Sequence, residues 1–152
     1  MPDFSWTEQH ELIPRRAALQ QALAQDGFIF PQGTVKLEPG GRPRSIGATA
    51  DGRAQIELIG PEDVVFKATL LRTLSGADDR TSAAVLADCA TLLRHVAPTW
   101  AEGPDWIAAN AQRAPAALAE QPLIKTQFSE LAFDLRLTRD GKRLILGMTW
   151  QA

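Results

Sequence analysis

Residues 131–150 read LAFDLRLTRDGKRLILGMTW, two alternating runs joined at Asp140-Gly141. Asp-Gly between alternating apolar runs signals a β-hairpin, because both central residues of a type I′ turn need φ > 0. With Arg139 opposite Lys142, the pairing follows. Leu137 faces Leu144, Leu135 faces Leu146, Phe133 faces Met148 and Leu131 faces Trp150. These large apolar pairs share one face. Ile145 falls on the other, opposite Arg136. The pattern predicts an antiparallel sheet with one face buried and the other turned to solvent or a partner.

A second hairpin is read around ATADGR (48–53). A three-residue loop, Ala50-Asp51-Gly52 with Gly52 in the left-handed region, sets Ile46 opposite Ile56 and Ala48 opposite Ala54. A two-residue loop would set Ile46 opposite Glu57, so the first is preferred on burial grounds. A five-residue connection at 59–63 then pairs Leu58 with Val64 and Ile56 with Phe66. This predicts a three-stranded meander with Ile46, Ile56 and Phe66 in one row, and Gln55 and Lys67 on the opposite face. Residues 34–38 are a further candidate strand, followed by the Pro- and Gly-rich loop EPGGRPR (38–44).

Helical spacing appears three times. Ala18, Leu19, Ala22 and Leu23 place a helix over 14–26, with Pro14 in its first turn and Gly27 ending it. Val85, Cys89, Leu92, Leu93 and Val96 recur on one stripe, the clearest helix in the chain, with Asp79 or Thr81 as its cap and Pro98 as its stop. Gly103-Pro104-Asp105 opens another helix with Trp106, Ile107 and Ala111 inward, and Pro115 must break or kink it. Residues 1–13 read as an irregular arm.

The expected fold is a single α+β domain over residues 1–152, of order α-β-β-β-α-α-β-β. An antiparallel sheet of five or six strands carries two to three helices on one face. The arrangement is similar to that of small dimeric chaperones of secreted proteins and related binding modules. No shared motif accompanies that likeness, so it implies little about function.

Composition narrows the partners. The chain has 152 residues, 45% hydrophobic and 22% charged, with net charge −2 and pI about 5.7. A core is expected, and no global attraction to nucleic acid or anionic membrane. A single cysteine excludes an internal disulfide and a thiolate-rich metal site. No signal-peptide pattern opens the chain and no apolar run reaches membrane-spanning length, so the expected location is cytoplasmic.

Motifs of chemistry are sparse. There is no GxGxxG, GxSxG, HExxH or CxxC, and no cofactor or metal is expected. Cys89 lies on an apolar stripe and reads as a structural thiol. His95 sits near a helix C-terminus, where the macrodipole favours a cation. Asp78 and Asp79 lack the spacing of a calcium loop and read as helix-capping acids. Arg42, Arg44 and Arg53 suggest a small basic patch for nucleic acid, but a flexible, solvated loop is the preferred reading, because Gly and Pro dominate such loops.

The leading expectation is therefore a non-enzymatic protein-binding, adaptor- or chaperone-like module acting as a homodimer. Its partner-binding residues are Arg136, Arg143, Ile145, Gly147 and Lys67 on the open sheet face, where Val65 and Leu71 add apolar area. The alternative is a small-molecule-binding protein or enzyme with a pocket between sheet and helices, its ligand-binding residues Trp100, Trp106 and His95.

Overall fold

Among the residues that the computed structural model describes (15–31, 43–61, 63–116 and 124–150), six strands form one antiparallel sheet. They are β1 (Arg44–Ala48), β2 (Ala54–Ile59), β3 (Lys67–Thr73), β4 (Ile124–Phe128), β5 (Leu131–Leu137) and β6 (Arg143–Trp150). Their order across the sheet is β1-β2-β3-β6-β5-β4, so two meanders meet at the β3–β6 seam. The expected α-β-β-β-α-α-β-β order holds, with one further strand, β4, ahead of the closing hairpin. The arm at 1–13 and the candidate strand at 34–38 lie outside the described residues.

The closing hairpin has the register that its sequence dictates: Leu137 with Leu144, Leu135 with Leu146, Phe133 with Met148, Leu131 with Trp150, and Ile145 with Arg136. Its turn is not type I′. Only Gly141 has a positive φ (72°), and Asp140 does not. Instead the Asp140 carboxylate accepts from the Lys142 N–H (2.9 Å) and the Thr138 hydroxyl (2.7 Å). Side-chain hydrogen bonds close the loop that two left-handed residues would otherwise have closed.

Two registers differ from expectation. On β1, Ile46 pairs with Glu57, Gly47 with Ile56 and Ser45 with Leu58. The core face of β1 thus carries Ser45 and Gly47, not Ile46 and Ala48. The reason lies above the strand. The Phe30 ring covers Gly47 so closely that a Cβ there would stand 2.6 Å from it, and the buried Arg16 donates to the Ser45 hydroxyl at 3.0 Å. Small residues are required under those two groups. Between β2 and β3, Leu58 pairs with Ala68 and Ile56 with Leu70, so the connection is longer than five residues. Val64 leaves the meander to bridge Arg15, and Val65 is fully buried rather than on the open face. The row of Ile46, Ile56 and Phe66 does not form. The row across all six strands is Gly47, Ile56, Leu70, Leu146, Leu135 and Ile124.

Three helices cover that face. α1 (Arg16–Gln25) buries Leu19 and Leu23 and ends at Gly27, whose φ of 96° needs glycine. α2 (Ala83–Val96) buries Val85, Cys89, Leu92, Leu93 and Val96, the stripe expected. Its cap is Ser82, whose hydroxyl accepts from the Val85 N–H at 3.3 Å; neither Asp79 nor Thr81 takes that role. α3 (Gly103–Asn110) carries Pro104 near its start and buries Ile107. Helix and sheet side chains form one core, in which Leu70, Leu135 and Leu146 are wholly buried. Each such leucine stabilises the fold by about 2 kcal/mol.

Candidate functional site

Strands alternate, so each core row has a counterpart on the open face. One row there runs Ile46, Glu57, Thr69, Gly147, Asp134 and Lys125. The next, toward the start of β6, runs Ala48, Gln55, Leu71, Ile145 and Arg136. On the other side stand Ile59, Lys67, Thr149, Ala132 and Gln127. No described helix packs on this face, because the buried stripes of all three helices belong to the core on the other side.

A recess of about 260 Å³ opens at its centre, over β5 and β6. Its lining includes Lys67, Lys125, Asp134, Arg136, Gly147 and Thr149. Gly147 creates the depth: it carries no side chain, and the Asp134 carboxylate lies over it. Asp134 and Arg136 form an open ion pair, Nε to Oδ2 at 4.0 Å. That exceeds hydrogen-bond length, and Arg136 Nε has no hydrogen-bond partner among the described residues. Lys67, Lys125 and Arg136 bring three positive charges against the one carboxylate of Asp134, in a chain whose net charge is −2.

The structure brings three of the five expected partner-binding residues to this recess: Lys67, Arg136 and Gly147. Ile145 lies in the adjacent row between Leu71 and Arg136 and is only 8% exposed. Arg143 stands exposed at the start of β6, opposite Thr73 and outside the recess. Lys125 was not expected. Its strand, β4, is short and only weakly apolar (IKTQF), although Ile124, Thr126 and Phe128 alternate toward the helices. The signal that could have found it is the turn at Ser129-Glu130, where Ser129 adopts φ 56° and returns the chain onto β5.

The residues expected around a small-molecule pocket have other contacts. Trp100 is buried and stacks on Phe133 (4.6 Å between ring centres) and Phe128 (5.7 Å), with Trp106 tilted against it at 5.9 Å. Gly103 makes room for that indole: a Cβ there would stand 2.8 Å from it. His95 instead meets Asp26 at the end of α1, at 2.5 Å, and Arg94 reaches the same carboxylate at 2.9 Å. Those contacts, His95 first, hold the Asp26 carboxyl below its usual range. The tryptophans and His95 do not converge.

Other candidates have structural partners. Burial, reinforced by Asp88, pushes the Cys89 thiol up to about 12, which leaves almost no thiolate at neutral pH. Asp79 accepts from the Ser75 N–H at 2.9 Å and helps to form the 3-10 turn Ala77–Thr81 before α2. Arg44 and Arg53 stand at opposite ends of the first hairpin, Arg44 beside Glu57 at 3.8 Å, so they form no common patch; Arg42 lies outside the described residues. Among the described residues, no three His, Cys, Asp or Glu side chains gather to hold a metal ion, and no helix is long and apolar enough to cross a membrane. Compared with protein-family models, with curated proteins and with solved structures, the chain matches none.

Proposed function

We propose that this chain is a non-enzymatic protein-binding module, adaptor- or chaperone-like, which contacts its partner through the open face of the sheet. One observation carries the reading. A face free of described helices sets the half-buried Leu71, next to the nearly buried Ile145, beside the recess of Lys67, Lys125, Asp134 and Arg136. Apolar area ringed by charge is the make-up of protein interfaces. The recess offers cations, hydroxyls and a carboxylate, and pairs no nucleophile with a base. The same reading includes a cytoplasmic location, where a lone reduced cysteine is ordinary. It also includes self-association through this face, which would make a homodimer.

Site-specific photo-crosslinking in the native host tests it. A crosslinker at Thr69, in the lining of the recess, should give a discrete protein adduct, whereas one at Ala109, exposed on α3, should not. The mass of the adduct tells a second copy from another protein. No adduct from Thr69, or equal adducts from both positions, would sink the reading.

A further inference from the structure

We infer that the recess on the open face takes the carboxylates of an acidic, extended segment of a partner protein, with Lys67 and Arg136 as its two poles. This rests on the protein-binding reading above and specifies the partner's chemistry. The placement is the first argument. Lys67 pairs with Thr149, two residues beyond Gly147 on the β3 side. Arg136 pairs with Ile145, two residues before Gly147 on the β5 side. The two cations thus lie diagonally across the glycine, two strand spacings (roughly 10 Å) and four residues (roughly 14 Å) apart at their backbones. Both have long side chains that lean inward to line the same recess. Their backbones are therefore roughly 17 Å apart, and an extended peptide on that diagonal presents alternate side chains roughly 7 Å apart, so acids four residues apart (roughly 14 Å) come within reach of the two inward-leaning cations.

The second argument is charge. A surplus of two positive charges over the recess, on a chain that is acidic overall, gives a local positive potential that selects an anionic segment and speeds its encounter. Because the Asp134–Arg136 pair is open at 4.0 Å, the guanidinium fork keeps its capacity for a bidentate carboxylate. Beside the Gly147 that Asp134 covers, Ala132 and Thr149 contribute only small side chains to the lining.

The third argument separates carboxylate from phosphate and nucleic acid. The described lining comes from strands alone and offers no helix N-terminus, the usual phosphate cradle. Phe133, the aromatic residue of the described lining, is 1% exposed with its ring in the core, so the described lining has no platform on which a base could stack.

The test uses the full chain and a fluorescent peptide of alternating Glu and Val, read by anisotropy at low salt. Binding of the Glu–Val peptide, none of a Gln–Val peptide, and weakening with added salt are expected. Lys67→Gln and Arg136→Gln should each weaken binding about tenfold, the scale of one charge-assisted hydrogen bond. Arg53→Gln and Lys142→Gln, at the sheet's turn end, should leave it unchanged. Circular dichroism confirms that each exposed variant stays folded. The inference is overturned if the Glu–Val peptide does not bind, or if the Lys67/Arg136 double variant binds it equally. Tighter capture of a phosphoserine peptide or of oligouridylate would overturn it too. A Thr69 adduct without Glu–Val binding rejects the acidic partner and leaves the binding module standing; loss of both rejects both.

Discussion

Asp134 lies in the space that a side chain at Gly147 would occupy, its carboxyl carbon 3.2 Å from where a Cβ would stand. The two residues pair directly across β5 and β6, so the glycine holds the acid flat against the sheet. Gly147→Ala forces the carboxylate to swing aside. The Asp134 side chain is 25% exposed and has room to move, and alanine suits a strand better than glycine. These effects offset, and stability should change by less than about 1 kcal/mol. The recess should nevertheless lose its floor. Urea titration checks the first outcome and Glu–Val anisotropy the second; a fully stable variant with unchanged binding would separate Gly147 from the site.

Asp51 and Asp140 occupy equivalent places in two turns of one pattern, Thr-x-Asp-Gly. In each, the carboxylate accepts from the N–H two residues on (Arg53 or Lys142), at 3.0 and 2.9 Å, and from the preceding threonine hydroxyl at 2.7 Å. The turns flank the exit of β3, whose Thr73 N–H donates to Arg53 O and whose Leu74 N–H donates to Lys142 O. The backbone bond first, then the threonine, holds both carboxyls below the usual aspartate range. A depressed folded pKa stabilises the fold above the unfolded value and loses that contribution as pH falls through the folded one. Denaturation midpoints should drop between neutral and acidic pH. Asp51→Ala and Asp140→Ala should each flatten the decline, and the double variant should flatten it most. Part of the slope should persist, since Asp26 and Asp79 shift in the same direction.

Arg16 is the cation that the core cannot lose. It is 3% exposed and donates to the Ser45 hydroxyl (3.0 Å) and to the carbonyls of Leu58 (2.8 Å), Gly60 (2.6 Å) and Pro43 (3.1 Å). Burial lowers its pKa, with Asp63 opposing, yet a guanidinium stays protonated. Arg16→Met leaves several buried acceptors without a donor and should cost about 3 kcal/mol or more. Arg16→Lys should recover little, because one ammonium cannot span the same acceptors. Chemical denaturation decides; a lysine variant of full stability would reduce the guanidinium fork to a point charge.

Cys89 should resist thiol reagents in the native state and react only as fast as the chain opens. Its thiol, pushed up to about 12, is raised above the unfolded value of about 8.5. Stability should therefore hold below that unfolded value and decline as pH rises from it toward about 12. Labelling by a disulfide reagent at neutral pH, with and without urea, measures the first claim. Rapid labelling of the folded chain would show that the α2 stripe is open to solvent.

The closing hairpin was legible because all of its large apolar residues except Ile145 share one face and one turn residue fixes the phase. The β1–β2 register was not, since apolarity points to Ile46 while Arg16 and Phe30 demand Ser45 and Gly47 beneath them. Those two residues act from distant positions that no local pattern displays. Val64 and Val65 misled for a related reason, being apolar residues of a connection that folds into the core. On the open face, Arg136, Gly147 and Lys67 could be read by parity alone. Lys125 could not, because its strand holds its place through pairing with β5 more than through apolar pattern.

The strand order has a kinetic consequence. Each meander closes through turns of a few residues, whereas the β3–β6 seam joins segments separated by the 3-10 turns, both later helices and two strands. Non-local closure of this kind is slow, since chain entropy is lost before the contacts repay it. Leu70 and Leu146, which meet in the middle of that seam, should govern how fast the two halves of the sheet find each other. Until they do, both halves expose an unpaired strand edge, and the interval before docking is when the nascent chain is most exposed to aggregation.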